Sequence, residues 1–288
     1  MSVERVILLG ATGFIGRVLH AELQRAGIEV IAHGSKTLDL RQREVVEREL
    51  GRVAAATTTL VLAAALTPDK GQTLATFYAN LAMVTNVAES LDRHPVGRCV
   101  YVSTDAIYGF DFDPVDETTP VAPSGYYALA KYTAEHVLKF ATSARGIPLL
   151  SIRLAGSFGP GDPHASYGPS AFARSLAKDR TIRLFGAGEE RRDHLYVTDV
   201  ARLVAGLIPT SETGVINVAT GTSRSFAEVV DVIRGLVRYE FETVTVARKG
   251  SITHRHFDTA RLRAAVPGFR FTPFEDALRA TLAGFGAT

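Results

Sequence analysis

The sequence predicts an α/β protein, a doubly wound parallel sheet with a smaller, interleaved C-terminal lobe. Three observations carry this. Short β-rich runs alternate with helical patterns through the first half of the chain, as parallel strands joined by crossover helices require. A glycine-rich turn, Gly10-Ala-Thr-Gly13-Phe-Ile-Gly16, follows the first such run and opens the first helix. Beyond a breaker-dense segment, Gly-Pro-Gly-Asp-Pro-His-Ala-Ser-Tyr-Gly-Pro at 159–169, the periodicity loosens into shorter elements.

In order, residues 6–9 read as the first strand and 15–26 as the first helix, ended by Gly27. A second strand is expected at 30–32 and a buried one at 60–64. Residues 77–91 form a helix and 98–102 a strand, closed by Ser103-Thr104-Asp105. The stretch 111–125, rich in Pro, Asp and Thr, leads into a helix at 127–143 and then a strand at 148–153. Further on, 181–185 and 215–218 read as strands and 226–237 as a helix. Residues 1–165 are expected to form the dinucleotide-binding Rossmann domain, with 193–220 returning to it. Residues 166–192 and 221–288 would form the substrate lobe.

The bulk numbers exclude several classes. With 288 residues, 46% hydrophobic, the chain can bury a large core without staples. A formal charge of +2 is too small to point to nucleic acid or an acidic membrane surface. No stretch is apolar for long enough to span a bilayer, and glycines interrupt the first apolar run before it makes a signal-peptide core. The single cysteine, Cys99, cannot form a disulfide within the chain. A cytoplasmic protein is expected, with no metal site.

The glycine turn sits where such loops bind pyrophosphate. Its glycines permit close backbone approach, and the helix N-terminus presents N–H donors and a positive dipole end. After the second strand an NAD site usually shows a carboxylate. Here the chain reads His33-Gly34-Ser35-Lys36, so Ser35 and Lys36 can receive a 2′-phosphate, favouring NADP(H) over NAD; a solvated loop lysine is the alternative. Asp39-Leu40 follows, in position to reach the adenine.

Tyr127 and Lys131 stand four residues apart, on one helical face and about 5–6 Å apart at Cβ. A neighbouring ammonium stabilises a phenolate and lowers its pKa. That makes Tyr127 a proton donor and acceptor at neutral pH. Alone, Tyr-x-x-x-Lys also describes a surface pair sharing a helix. Tyr126 lacks the spacing to Lys131. Thr104, just past a strand's carboxyl end, can donate a hydrogen bond to a carbonyl oxygen while the tyrosine moves the proton.

Together these motifs resemble the extended short-chain dehydrogenase/reductases of the NAD-dependent epimerase/dehydratase family. The resemblance is carried by the glycine turn, Leu62-Ala-Ala-Ala65, Asn80, Tyr101-Val-Ser-Thr-Asp-Ala-Ile-Tyr-Gly109, Tyr127-Ala-Leu-Ala-Lys131, Arg153, Gly159-Pro-Gly161, Arg192-Asp193 and Asn217. It implies Thr104, Tyr127 and Lys131 as the catalytic set, with Lys131 also on the nicotinamide ribose. It implies cofactor contacts at Gly10, Thr12, Gly13, Phe14, Ile15, Gly16, His33, Ser35, Lys36, Asp39, Leu40, Ala63, Ala64, Ala65, Asn80, Ser103, Tyr127 and Lys131. A nucleotide-sugar substrate would meet Thr104, Asp105, Arg192 and Arg255, because a guanidinium fork suits a diphosphate. A homodimer is also implied.

Two departures narrow the reaction. Family 4,6-dehydratases carry a glutamate where this chain has Ala106. Many 4-epimerases carry an asparagine where it has Gly156. The expected activity is therefore NAD(P)-dependent reduction of a nucleotide-activated 4-keto-(6-deoxy) sugar. A 4-epimerase with tightly held NAD is the alternative, and a non-catalytic nucleotide sensor a third reading.

Overall fold

The computed structural model describes residues 5–164, 167–248 and 250–288. The chain runs β1 (Arg5–Leu9), α1 (Phe14–Arg25), β2 (Glu29–His33), α2 (Arg43–Val53), β3 (Thr58–Leu62) and α3 (Leu74–Arg93). It continues through β4 (Arg98–Thr104), α4 (Tyr126–Ser143), β5 (Leu149–Leu154), β6 (Gly156–Phe158), α5 (Pro169–Asp179) and β7 (Thr181–Phe185). Then come β8 (Arg191–Tyr196), α6 (Val197–Leu207), β9 (Gly214–Val218), β10 (Ser223–Ser225), α7 (Phe226–Leu236), β11 (Glu242–Val246), α8 (Ala260–Ala265) and α9 (Phe274–Phe285).

Six strands form one parallel sheet in the order β2-β1-β3-β4-β5-β9. Side chains alternate across a strand, and the core divides accordingly. Val6, Leu8, Val61, Val100 and Val102 face one layer with Leu19 of α1 and Val200 and Leu203 of α6. Ile7, Leu9, Leu60, Leu62, Cys99 and Tyr101 face the other, with Val46 of α2, Leu91 of α3 and Leu138 of α4. Burial on both faces explains why these strands read as continuous apolar runs. The winding reverses between β1 and β3, and in open α/β sheets ligands bind outside the carboxyl ends of the strands at such a point.

A second core gathers Phe158, Phe172, Leu176, Ile182, Leu184, Phe226, Ile233, Phe274 and Leu278. Around it lie a three-stranded sheet, β10-β8-β6, and the parallel pair β11-β7. Of residues 193–220, α6 and β9 pack with the large sheet, whereas Asp193–Tyr196 belong to β8 of the small one.

Among the departures from the sequence reading, two boundaries and one missed helix each have a local reason. The buried strand ends at Leu62, not residue 64, so Ala63 and Ala64 are free to floor the glycine turn. β4 runs on through Ser103 and Thr104, because both pair with β5. The helix α2 was not foreseen. Its sequence is dominated by charge, and only Val46, Leu50 and Val53 form its buried stripe.

Candidate active site

At the glycine turn, Gly10 has φ +98°, and a Cβ there would lie 2.6 Å from the Ala64 amide nitrogen. A Cβ on Gly16 would fall 2.0 Å from the Gly10 carbonyl oxygen. The turn is held from below, where Gly10 and Ala11 donate their N–H groups to the His33 carbonyl at 2.8 and 2.9 Å. Gly13 caps α1 with no side chain bonded to its first turn. A backbone cradle that excludes side chains, at an uncapped helix start, fits a pyrophosphate. Gly34, which the sequence reading left without a role, belongs to the same device. A Cβ on it would meet Thr12 Oγ1 at 2.4 Å.

At the far end of this groove the predicted residues part ways. The His33 ring turns to α2, with Nε2 3.1 Å from Glu49 Oε1. Ser35 and Lys36 are exposed. Asp39 is gripped by Arg41 through both oxygens, at 2.9 and 2.7 Å, and that contact holds its carboxyl down at about 2. Leu40 is buried, and its carbonyl accepts from Asn86. Asn80 spends its side chain on the backbone of Leu66, accepting at 2.8 Å and donating at 3.0 Å, which fixes the loop after β3.

A cleft of about 800 Å³ joins the start of α1 to the carboxyl ends of the strands and to the small lobe. Phe14, Ile15, Ser103, Thr104, Asp105, Tyr127, Arg192 and Arg255 all line it. The fold thus brings together residues scattered across most of the sequence. Lys131 lies just behind, 4% exposed, beside a small void lined by Ala64, Ala65, Asn80 and Tyr101. Its Nζ donates to the Val102 carbonyl at 2.5 Å and sits 4.2 Å from the Tyr101 ring centroid.

One expectation is corrected here. Burial raises the Tyr127 phenol, the Asp105 charge raises it further, and the Thr104 hydroxyl only partly opposes them. Lys131 does not acidify it, because its ammonium is turned to Val102 and burial lowers its own pKa to about 7. Tyr127 is therefore a protonated phenol, an acid in waiting. Ser103, expected on the cofactor, also directs its hydroxyl inward, to Glu135 at 2.5 Å.

The side of the cleft nearer the small lobe carries two guanidiniums. The Phe110 ring has two guanidiniums against it, with Arg192 and Arg255 each 4.8 Å from its centroid. Arg192 is anchored by Thr253 through its carbonyl at 2.7 Å and its hydroxyl at 2.9 Å. Arg255 is 3% exposed, yet its Nε and Nη1 have no partner among the described residues. Buried donors left unpaired are costly, and an anionic ligand would satisfy these. Burial, with Asp193 adding to it, lifts Asp105 to about 6 against the pull of Arg255 and Arg192.

Other cleft residues escaped the sequence reading. His164 Nδ1 lies 2.8 Å from Asp162 Oδ1, and its Nε2 is 3.2 Å from Thr67 Oγ1, tying the 159–164 loop to the loop after β3. The breaker-dense composition at 159–169, of which 165 and 166 lie outside the described residues, gave no sign of this contact. His194 is buried among Phe158, Phe226 and Phe274, and burial, then Arg192 and Arg224, lowers it to about 3, so it is neutral.

Among the described residues no cluster could hold a metal ion, and no helix is long and apolar enough to cross a membrane.

The model of the family described as "NAD dependent epimerase/dehydratase family" matches residues 6–219. A UDP-glucose 4-epimerase of Mycolicibacterium smegmatis is 28% identical over 285 residues, covering 90% of this chain and 91% of that protein. A dTDP-glucose 4,6-dehydratase of Xanthomonas campestris is 28% identical over 148 residues, covering 50% and 42%. The first curated relatives are matched over only 60% and 42% of their own lengths. Among solved structures, the UDP-glucose 4-epimerase of Thermus thermophilus in complex with NAD superposes with a TM-score of 0.84 at 27% identity. That superposition covers 98% of this chain and 99% of the other.

Proposed function

Since this chain belongs to the NAD dependent epimerase/dehydratase family, we propose that it is an NAD(P)-dependent reductase of a nucleotide-activated 4-keto-(6-deoxy) sugar. The observation that carries the reading is the cleft itself. A protonated Tyr127 and the Thr104 hydroxyl share it with Arg255, whose unpaired buried nitrogens suit a diphosphate.

A reduced nicotinamide, when bound, supplies hydride to the carbonyl carbon. The chain's own residues do the rest. Thr104 donates to the carbonyl oxygen and Tyr127 gives its proton to the alkoxide as that forms. Lys131, just behind the cleft, orients the cofactor ribose. Arg192 and Arg255 hold the diphosphate and so fix the sugar against Tyr127. The absence of a carboxylate from His33-Gly34-Ser35-Lys36, with Ser35 and Lys36 exposed, favours NADP(H). Ala106, a cleft residue, offers no acid for water elimination.

Nucleotide-sugar 4-epimerisation with retained NAD is the second reading, favoured by the 28% identity to an epimerase across 90% of the chain. Nucleotide extracted from freshly purified protein separates the two. The reductase should release little, and should oxidise NADPH stoichiometrically when a nucleotide-linked 4-keto-6-deoxy sugar is added. Stoichiometric NAD in the extract, with sugar isomerised and no net NADPH loss, would replace it by the epimerase.

We also infer a homodimer through α3 and α4, which pack together and expose Tyr78 (60%) and Phe140 (72%) along with Leu74, Tyr126 and Leu129. Light scattering should give twice the 31.0 kDa chain mass, and Tyr78→Glu with Phe140→Glu should halve it. A monomeric wild type would reject the dimer.

A further inference from the structure

Behind the Tyr127–Lys131 face of α4 lies a row of buried polar groups that the reaction does not itself use. Ser103, Arg153 and Asn217 are register partners across β4, β5 and β9. Glu135, one helical turn beyond Lys131, reaches onto this row. It accepts from Ser103 Oγ at 2.5 Å and from Arg153 Nε and Nη2 at 3.1 and 2.7 Å. Arg153 Nη1 donates to the Tyr108 hydroxyl at 2.8 Å, which donates in turn to Asn217 Oδ1 at 2.8 Å. Glu135 and Arg153 are 6% and 5% exposed. A pair so deep adds little net stability, since desolvation largely offsets the attraction. Stability is thus a poor account of its presence beneath a reactive site.

Its position suggests another. Lys131 holds the Val102 carbonyl, Glu135 holds the hydroxyl of the next residue, and the residue after that is Thr104. The small void that Lys131 lines is shared with Tyr101 from β4, Asn80, Met83 and Val84 from α3, and Leu62, Ala64 and Ala65 from β3 and its loop. Tyr127 and Glu135 are on its own helix, and Arg153 of β5 lies beyond Glu135. Glu135 alone in this set is a carboxylate.

We propose that Glu135 is a positioning residue for the reaction, keeping Lys131 charged and locking β4 to α4 so that Thr104 and Tyr127 meet the same substrate oxygen. The proposal rests on reading Thr104, Tyr127 and Lys131 as the reacting set. Burial drives Lys131 down to about 7 while Glu135 opposes the fall. Glu135→Gln keeps an oxygen for Ser103 and Arg153 but removes the charge. Lys131 then loses its opposing partner, its pKa drops further, and the ammonium survives only at lower pH.

The test is a titration of protein carrying [ε-13C]lysine. The sequence has six lysines, and Lys131→Arg assigns the signal. In Glu135→Gln the Lys131 midpoint should fall by about one pH unit, with the other lysines unmoved. The alkaline limb of the kcat profile should move down with it. A purely structural role would lower the amplitude and leave both midpoints in place. If Arg153 without its counter-charge prevents folding, Glu135→Gln with Arg153→Met should shift Lys131 in the same direction by less. The titration needs neither substrate nor cofactor. An unmoved midpoint in an active enzyme overturns the role of Glu135 alone, whereas a wild type inactive on every nucleotide sugar overturns the reaction and that role together.

Discussion

Tyr127→Phe should lower kcat by about 10²–10⁴-fold, the usual worth of a positioned general acid, while leaving the fold and the substrate KM nearly unchanged. The ring stays, so its packing in the cleft wall is kept. What goes is the one proton that the structure holds ready, on a phenol raised by burial and by Asp105. Thr104 loses a partner but still lines the cleft. Steady-state kinetics with NADPH and a nucleotide-linked 4-keto sugar, beside circular dichroism of the variant, decide the matter. Retention of more than a tenth of the wild-type kcat would remove Tyr127 from the chemistry, whereas a wild type with no turnover would revive a non-catalytic, nucleotide-sensing role.

The second large effect is expected from Gly16→Ala. The added Cβ would stand 2.0 Å from the Gly10 carbonyl oxygen, 2.8 Å from its carbon and 3.0 Å from Ala11 Cα. All three are backbone atoms, so no side chain can swing aside, and α1 must move away from β1. Overpacking of this kind costs about 1–3 kcal/mol. The moved helix start would also lose the pyrophosphate seat. Urea unfolding should show the lost stability, and titration of NADPH fluorescence should show binding weakened by at least about tenfold, since 1.4 kcal/mol is one decade. Gly235→Ala is the control. It lies in α7 with nothing within 4 Å of the added Cβ, so it should be neutral or gain about 0.5–1 kcal/mol. Equal behaviour of the two variants would deny the close approach at Gly16.

Much of this was legible in the chain alone. Motifs that depend on neighbours, such as the glycine turn after β1 and the four-residue step from Tyr127 to Lys131, are written in consecutive residues. So are the continuous apolar strands, because a strand covered on both faces has no polar side. Arg192 and Arg255 could be nominated only through the family resemblance, which places arginines at those positions. The helix α2 escaped because Arg43–Val53 buries only three residues, a stripe too narrow to stand out among its charges.

By itself, then, the sequence determined the parallel sheet, the glycine cradle and the helical step that sets Tyr127 and Lys131 on one face. Each follows from side-chain type and short spacing. Only the tertiary structure decided the direction of the Lys131 ammonium, the protonated state of Tyr127, the reach of Glu135 onto Ser103 and Arg153, and the joining of His164 to Thr67 across 97 positions. Those are consequences of burial and strand register. Both are set by contacts between segments far apart in the chain, where local periodicity carries no information.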